Sequence, residues 1–274
     1  MVMLSISTGC LPRLENKQFF ELTSVVRMMK RLVVDSAVDG FEFVLLPEWS
    51  REGPPLTLSS ASVDCEKHAV AEIAEMLEAE GDFPILSVHA NRDIGNYLCS
   101  DMAEDVKKGV RLAEECLSFA RKMNAKVCVF HLWDTFKESL DLVRLESFHR
   151  KLQSQFTDVA VSVENIPTKC HDMGPFKLVH GFKHKTLDLK WASMYDEFDL
   201  FMPYLDEVDN VHIQGRLESG RLRPSVGNLN YEKALEYIKE HDFNRIFTVE
   251  LEGAADHNAV VEYLGKLSVL ASGK

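Results

Sequence analysis

The chain has 274 residues, 46% of them hydrophobic and 9% aromatic, and carries a formal net charge of −12. That apolar content can fill a large core, and with no Pro/Gly/Ser-rich linker or compositional break it predicts a single domain over residues 1–274. The acidic balance argues against a nucleic-acid partner, since phosphate contacts supply most of that affinity, and no run approaches the roughly 18 apolar residues of a membrane span. The N-terminus has no targeting pattern, and the six cysteines form no CxxC pair, so a soluble, cytoplasmic protein with reduced thiols is expected.

In chain order, short apolar runs alternate with helical periodicity. A strand over 3–9 is followed by a helix over 17–37, with Phe20, Val25, Met28 and Leu32 on one side. A strand at 41–48 carries Glu42 and Trp49 follows it; a helix at 65–80 stops at Gly81, as Gly40 is expected to close the helix before it. The strand at 85–91 ends near His89, and the helix at 102–124, capped by Asp101, buries Val106, Val110, Ala113, Leu117 and Ala120. Next come a strand at 126–134 with His131 and Trp133, a helix at 137–156, and a strand at 159–167 with Glu164. An irregular connection, 168–184, leads to a strand at 185–192 with Asp188, Lys190 and Trp191, then to a helix at 195–206. The strand at 208–215 carries His212 and runs into a basic loop containing Arg216, Arg221 and Arg223. A helix at 231–241, a strand at 245–253 with Glu250 and a helix at 256–271, capped by Asp256, complete the chain. About eight strand–helix alternations in a chain close to the roughly 250 residues of a (β/α)8 barrel predict the α/β TIM-barrel architecture. A doubly wound sheet is the rival, but no GxGxxG follows the first strand.

Side-chain alternation supplies a second line of argument. Ser162 and Glu164, Thr186, Asp188 and Lys190, Thr248 and Glu250, and Ser87 and His89 each share a face opposite a wholly apolar one. The apolar face suits surrounding helices, so the polar face should point into the barrel and place the ionisable residues at its C-terminal mouth, where barrel enzymes keep their active sites. Buried polar groups at strand ends are costly unless something binds them.

The ordered motifs VENIP at Glu164, TLD at Asp188, NVHIQG at His212 and VELEG at Glu250, with DGFEF, SVHAN and NAKVCVFH, resemble the xylose isomerase-like barrels. That superfamily includes sugar epimerases, hydroxypyruvate isomerases and abasic-site endonucleases of the endonuclease IV type. The resemblance implies that Glu164, Asp188, His212 and Glu250 bind one divalent cation, Mn²⁺, Mg²⁺, Co²⁺ or Zn²⁺, a donor set suited to hard or borderline metals. His89 and His131 match positions that hold a second metal, bridged through Glu164, in endonuclease-type members; a lone strand-end histidine is more often a hydrogen-bonded structural residue or a substrate contact. Glu42 matches a strand 2 glutamate that binds a substrate hydroxyl or pairs with an arginine.

The departures shape the functional expectation. Where members carry a His three residues after the strand 6 Asp, Trp191 stands here; Gln214 and Glu218 occupy positions of a substrate-binding Glu and Arg, with Arg216 nearby, and Arg221 and Arg223 take the place of third-metal ligands. The leading expectation is a divalent-metal-dependent isomerase or epimerase of a small sugar or keto-polyol that works by proton transfer through an ene-diolate. Glu164 and Glu250 would be its base and acid and the metal its Lewis acid. Lys190 is expected to steady the oxyanion or an acidic substrate, or to pair with Asp188 or Glu164, and Arg216 to bind substrate or simply face solvent. A metal-dependent phosphodiester hydrolase of the endonuclease IV type and a non-catalytic metal- or metabolite-binding barrel are the alternatives. The oligomeric state is left open, a homo-oligomer included.

Overall fold

A computed structural model describes residues 1–15, 21–35, 37–45, 68–169, 173–253 and 255–272. These contain strands β1 (Met3–Ser7), β2 (Gly40–Val44), β3 (Ile85–His89), β4 (Val127–Phe130), β5 (Ala160–Glu164), β6 (Lys185–Asp188), β7 (Val208–Glu218), β8 (Arg221–Arg223) and β9 (Ile246–Leu251). All but β8 are parallel and close into a ring in the order β1-β2-β3-β4-β5-β6-β7-β9, with β9 returning to β1. Parallel neighbours require crossovers, and helices supply them: α1 (Leu22–Val34), α2 (Val70–Glu80), α3 (Ile94–Leu98), α4 (Ala103–Lys122), α5 (Leu142–Gln155), α6 (Pro175–Val179), α7 (Leu189–Met194), α8 (Phe198–Phe201), α9 (Tyr231–Glu240) and α10 (His257–Ser272). The closed (β/α)8 barrel expected from the alternation is therefore present. None of the described helices is long and apolar enough to cross a membrane.

The main core lies between strands and helices. In α1, Val25, Met28 and Leu32 of the stripe read from periodicity are buried, and in α4 so are Ala113, Leu117 and Ala120, while Val106 and Val110 of that stripe are only half-buried. Inside the ring the side chains form a second, stratified filling. Near the N-terminal end Val127, Val129 and Ile246 pack with Met3, Leu86 and Ala160 in an apolar plug. Further along lies a polar zone in which Ser162 meets Thr186 at 2.7 Å, Thr248 meets Asn210 at 2.9 Å and Ser87 meets Glu42 at 2.9 Å. The histidines and carboxylates of the strand ends lie on the same inward faces beyond it, so the alternation argument holds for β5 and β9; in β3 it holds for Ser87 and His89, but a register shift against β2 leaves Leu86 packed in the inner plug as well.

Several local expectations are corrected. The sixth run does not continue as a strand to 192: β6 ends at Asp188, whose Oδ1 accepts from the Lys190 and Trp191 backbone N–H groups at 2.7 and 3.3 Å and so caps α7. The helix expected at 195–206 is α8 followed by a 3-10 turn, Met202–Glu207, with Pro203 at its start. Met102, not Asp101, precedes α4, and Ser100 accepts from its N–H at 3.1 Å while donating to Asp105 at 2.6 Å. Gly40 opens β2 instead of ending α1; a Cβ there would lie 2.4 Å from the Pro84 carbonyl oxygen. The basic loop is a hairpin, in which β7 extends to Glu218 and turns through Ser219 (φ 51°) and Gly220 (φ 74°) into β8. Positive φ at both turn residues is the conformation that matches strand twist in a two-residue hairpin. The caps at Asp256 and Gly81 stand as read. Phe20, Trp49, Cys65 and Cys170 lie outside the described residues.

Candidate functional site

Glu164, Asp188, His212 and Glu250 stand near the C-terminal ends of β5, β6, the barrel portion of β7, and β9. Ligand-capable atoms of Glu164, Asp188 and His212 lie within 4.8 Å of one another, and so do those of Glu42, His212 and Glu250. His212 Nδ1 is 3.6 Å from Glu164 Oε1 and 3.8 Å from Glu250 Oε2, too far for hydrogen bonds. It and Asp188 Oδ2 are buried without a hydrogen-bond partner among the described residues. Asp188 is aimed from two sides. Its Oδ1 caps α7, and the following residue of VENIP, Asn165, clamps its backbone, accepting from Asp188 N–H at 2.5 Å and donating to its carbonyl at 3.1 Å.

The electrostatics of this cluster are those of charge concentrated away from water. Burial, with the negative charges of Glu164 and Glu250 added, pushes the Asp188 carboxyl well above its usual range. Burial raises Glu250 too, against the opposing pull of His212. Glu164 goes the other way: burial would raise it, but the imidazoles of His131 and His212 outweigh that and hold it well below the usual carboxylate range. For His212, Glu42, Glu250 and Glu164 overcome burial and raise its pKa well above that of a free imidazole. Three carboxylates and one imidazole, with two orphaned donor atoms facing inward, suit a hard or borderline divalent cation.

His89 and His131 meet the other side of Glu164. Both Nε2 atoms approach Glu164 Oε2, at 3.3 and 2.8 Å, and the three residues also gather within 4.8 Å. His89 Nδ1 lies 3.0 Å from the Ala90 carbonyl, which can only accept, so Nδ1 carries a proton and Nε2 faces the carboxylate. That is the orientation of a metal-ligating histidine whose second nitrogen donates to the backbone. Burial lowers the His131 pKa to about 4, so it stays neutral at physiological pH.

A cavity of about 240 Å³ opens above these groups, lined by His89, His131, Glu164, Trp191, Gln214 and Glu250, with Arg92, Thr135, Ile166 and Pro167. The remaining sequence candidates are placed elsewhere. Glu42 is sealed beneath His212, with no exposure and, among the described residues, no hydrogen bond to an arginine. Lys190 sits in the first turn of α7 and pairs with Glu252 at 2.6 Å, over the Trp191 ring at 4.4 Å, in place of the pairing expected with Asp188 or Glu164. Arg216 is exposed on the β7 extension opposite Arg223, outside the cavity lining. Trp133 is buried in the core, whereas Trp191 lines the cavity. The reading of the sequence passed over Arg92 and Thr135. Both lie within a few residues of a barrel strand end, the region from which mouth-lining side chains come.

No family model and no curated protein matches the chain. Solved structures do. A D-tagatose 3-epimerase-like protein is 15% identical with TM-score 0.64, the match covering 99% of this chain and 97% of that one. The D-allulose 3-epimerase from Methylomonas sp. in complex with D-allulose is 11% identical with TM-score 0.67, covering 97% and 96%. An AP endonuclease, family 2, from Brucella melitensis is 15% identical with TM-score 0.62, covering 97% and 99%. At such identities the likeness is one of fold, and together with the closed ring of eight parallel strands it makes this chain a (β/α)8 barrel with the fold of these structures.

Proposed function

We propose that the protein is a divalent-metal-dependent isomerase or epimerase of a small sugar or keto-polyol. The observation that carries this is the meeting of Glu164 and Asp188 with His212 in one cluster and of Glu250 with His212 in another, beneath a small cavity, with His212 Nδ1 and Asp188 Oδ2 buried and without a hydrogen-bond partner among the described residues. In this reading the four residues hold the cation. When bound it supplies Lewis acidity, neutralising the charge that develops on substrate oxygens as an ene-diolate forms. Glu164, ionised because imidazoles flank it, takes the proton from the carbon beside the carbonyl; Glu250, whose proton is held more firmly by burial, returns one from a different strand. Trp191, Ile166 and Pro167 give the sugar an apolar wall, and Thr135 and Gln214 offer hydrogen bonds. The roughly 240 Å³ cavity lies below the ~300–1,000 Å³ typical of drug-sized ligands, in keeping with a small substrate. Several fold neighbours are sugar 3-epimerases, including one solved with D-allulose.

The test is solvent-hydrogen exchange. Metal-loaded protein in D₂O, offered a panel of ketoses, should place deuterium at the carbon next to the carbonyl, and Glu164→Gln should lose that exchange by at least 100-fold, on the order of a general-base contribution. Exchange that survives the substitution removes the mechanism.

One observation favours a second reading. His89 and His131 meet Glu164 in a further ligand-capable cluster, the arrangement a two-metal phosphodiester hydrolase needs to clamp attacking and leaving oxygens. The net charge of −12 weighs against a nucleic-acid substrate. Cleavage of a duplex with one abasic site, in added Zn²⁺ or Mn²⁺, would move the assignment to that chemistry, and no cleavage would leave the isomerase.

A further inference from the structure

We propose that Glu42 is a positioning residue for His212: it holds the proton on Nε2 and leaves Nδ1 free toward Glu164, Asp188 and Glu250. Its consequence for metal binding rests on the metal-centre reading above, but the inference itself concerns the state of one imidazole.

Glu42 has no solvent exposure, and three donors converge on its Oε2: Ser87 Oγ at 2.9 Å, Asn210 Nδ2 at 2.8 Å and His212 Nε2 at 3.1 Å. A buried carboxylate that accepts from several donors is a fixed acceptor, so the nitrogen facing it must carry a proton. Asn210 is the competitor. Its Nδ2 also lies 3.1 Å from His212 Nε2 and would donate to a lone pair there. The amide cannot present its oxygen instead, because Oδ1 accepts from Thr248 Oγ1 at 2.9 Å. The contest is between a charged acceptor and a neutral donor for one ring nitrogen, and hydrogen bonds to a charged group are roughly twice as strong as neutral ones. The opposite tautomer gains no hydrogen bond at Nδ1, where its proton would face Glu164 and Glu250 at 3.6 and 3.8 Å, and loses one at Nε2, whose lone pair would face a carboxylate at 3.1 Å.

Glu42 therefore does for His212 what the Ala90 carbonyl does for His89: it occupies one nitrogen and turns the other inward. A carboxylate behind a ligating histidine fixes ring orientation and raises its basicity, and losing such a partner costs roughly 10- to 100-fold in metal affinity. The geometry also gives Glu42 a role other than the substrate contact expected from sequence, since it does not line the cavity.

The experiment has two arms on the full chain. In the first, ¹⁵N–¹H correlation of the His212 ring is recorded in metal-free protein at a pH high enough for the ring to carry one proton. The wild type should show the proton on Nε2. Glu42→Met, which removes the acceptor at similar volume, should let Asn210 donate to Nε2 and move the proton to Nδ1. In the second arm, Mn²⁺ affinity is measured by chelator competition. Glu42→Met should bind roughly 10- to 100-fold more weakly, whereas Ser87→Ala, which removes a donor from Glu42 without touching His212, should stay within a few-fold. A wild-type proton on Nδ1, or a Glu42→Met protein with unchanged tautomer and affinity, overturns the proposal. The wild-type spectrum needs no variant, so a Glu42→Met protein that fails to fold leaves the proposal decidable. A wild type that binds no cation would sink the metal-centre reading alone, and the spectrum would still decide the role of Glu42.

Discussion

Asp188→Asn separates the two tasks that Asp188 combines. Oδ1 caps α7 by accepting from two backbone N–H groups, while Oδ2 is buried, unpartnered and turned to the cluster. An asparagine keeps the capping oxygen, and caps of this kind are worth about 1 kcal/mol, so the cap term should change by only a few tenths. The substitution also removes a carboxylate that burial and two neighbouring carboxylates disfavour, so metal-free Asp188→Asn should be at least as stable as metal-free wild type near neutral pH. What it loses is the stabilisation that ligand binding confers on the folded state, about 2.7 kcal/mol at a cation concentration 100 times Kd. At about 2–4 °C per kcal/mol, that is a wild-type Tm rise of roughly 5–10 °C on adding Mn²⁺, with little or none for the variant. Scanning calorimetry with and without Mn²⁺ reads both terms. Asp188→Ala, which lacks the capping oxygen, should fall about 1 kcal/mol below Asp188→Asn in metal-free protein. If Asp188→Asn keeps the full Mn²⁺-dependent rise, Asp188 is not a ligand and the site is drawn wrongly.

Three other consequences can be checked. Burial lowers the His149 pKa from 6.5 to about 4, and its Nε2 donates to the Val161 carbonyl at 2.7 Å. The unfolded chain therefore binds the extra proton first: this contribution is intact above about pH 6.5 and drains away toward pH 4, by up to about 3 kcal/mol. His149→Gln should lose less stability than wild type between pH 7 and pH 4 in urea titrations, and identical profiles would contradict the assignment. A Cβ at Gly95 would lie 2.6 Å from the Trp133 carbonyl oxygen and 2.7 Å from that of His131, so Gly95→Ala should cost about 1–3 kcal/mol by overpacking the turn that carries His131; a change below about 0.5 kcal/mol in denaturant unfolding would show that the turn yields freely. Lys190→Met removes the Glu252 pair and the contact over Trp191. It should cost about 1–2 kcal/mol while leaving the bound-metal count unchanged, and loss of metal on elemental analysis would return Lys190 to the site.

The parts of this molecule that sequence revealed are those governed by period-two alternation. Glu164, Asp188 and Glu250 are legible as inward strand-end residues because Ser162, Thr186 and Thr248 precede them on the same faces, whereas His212, and the choice of the four as one metal's ligands, comes from the resemblance of the ordered motifs. Lys190 was misread by the same rule carried too far: after Asp188 the backbone turns helical, so parity no longer sets direction, and an N-cap aspartate looks like one more inward strand residue. The β7–β8 hairpin was hidden because charged residues flank the Ser219–Gly220 turn and mask its two-strand pattern. The place of Glu42 was illegible for another reason. Its inward face could be inferred, but the stagger between strands, which sets it beside Ser87 and below His212, is not written in either strand alone.

The most direct test of the whole account is the number of divalent ions per chain, measured by elemental mass spectrometry on protein purified without chelator or nickel affinity and then reloaded and desalted. At least one Mn²⁺, Mg²⁺, Co²⁺ or Zn²⁺ per wild-type chain is expected, with its loss in Asp188→Asn. A wild-type chain that retains none after reloading with each of the four contradicts it, and the mouth of the barrel would then be a charge cluster held by its own hydrogen bonds.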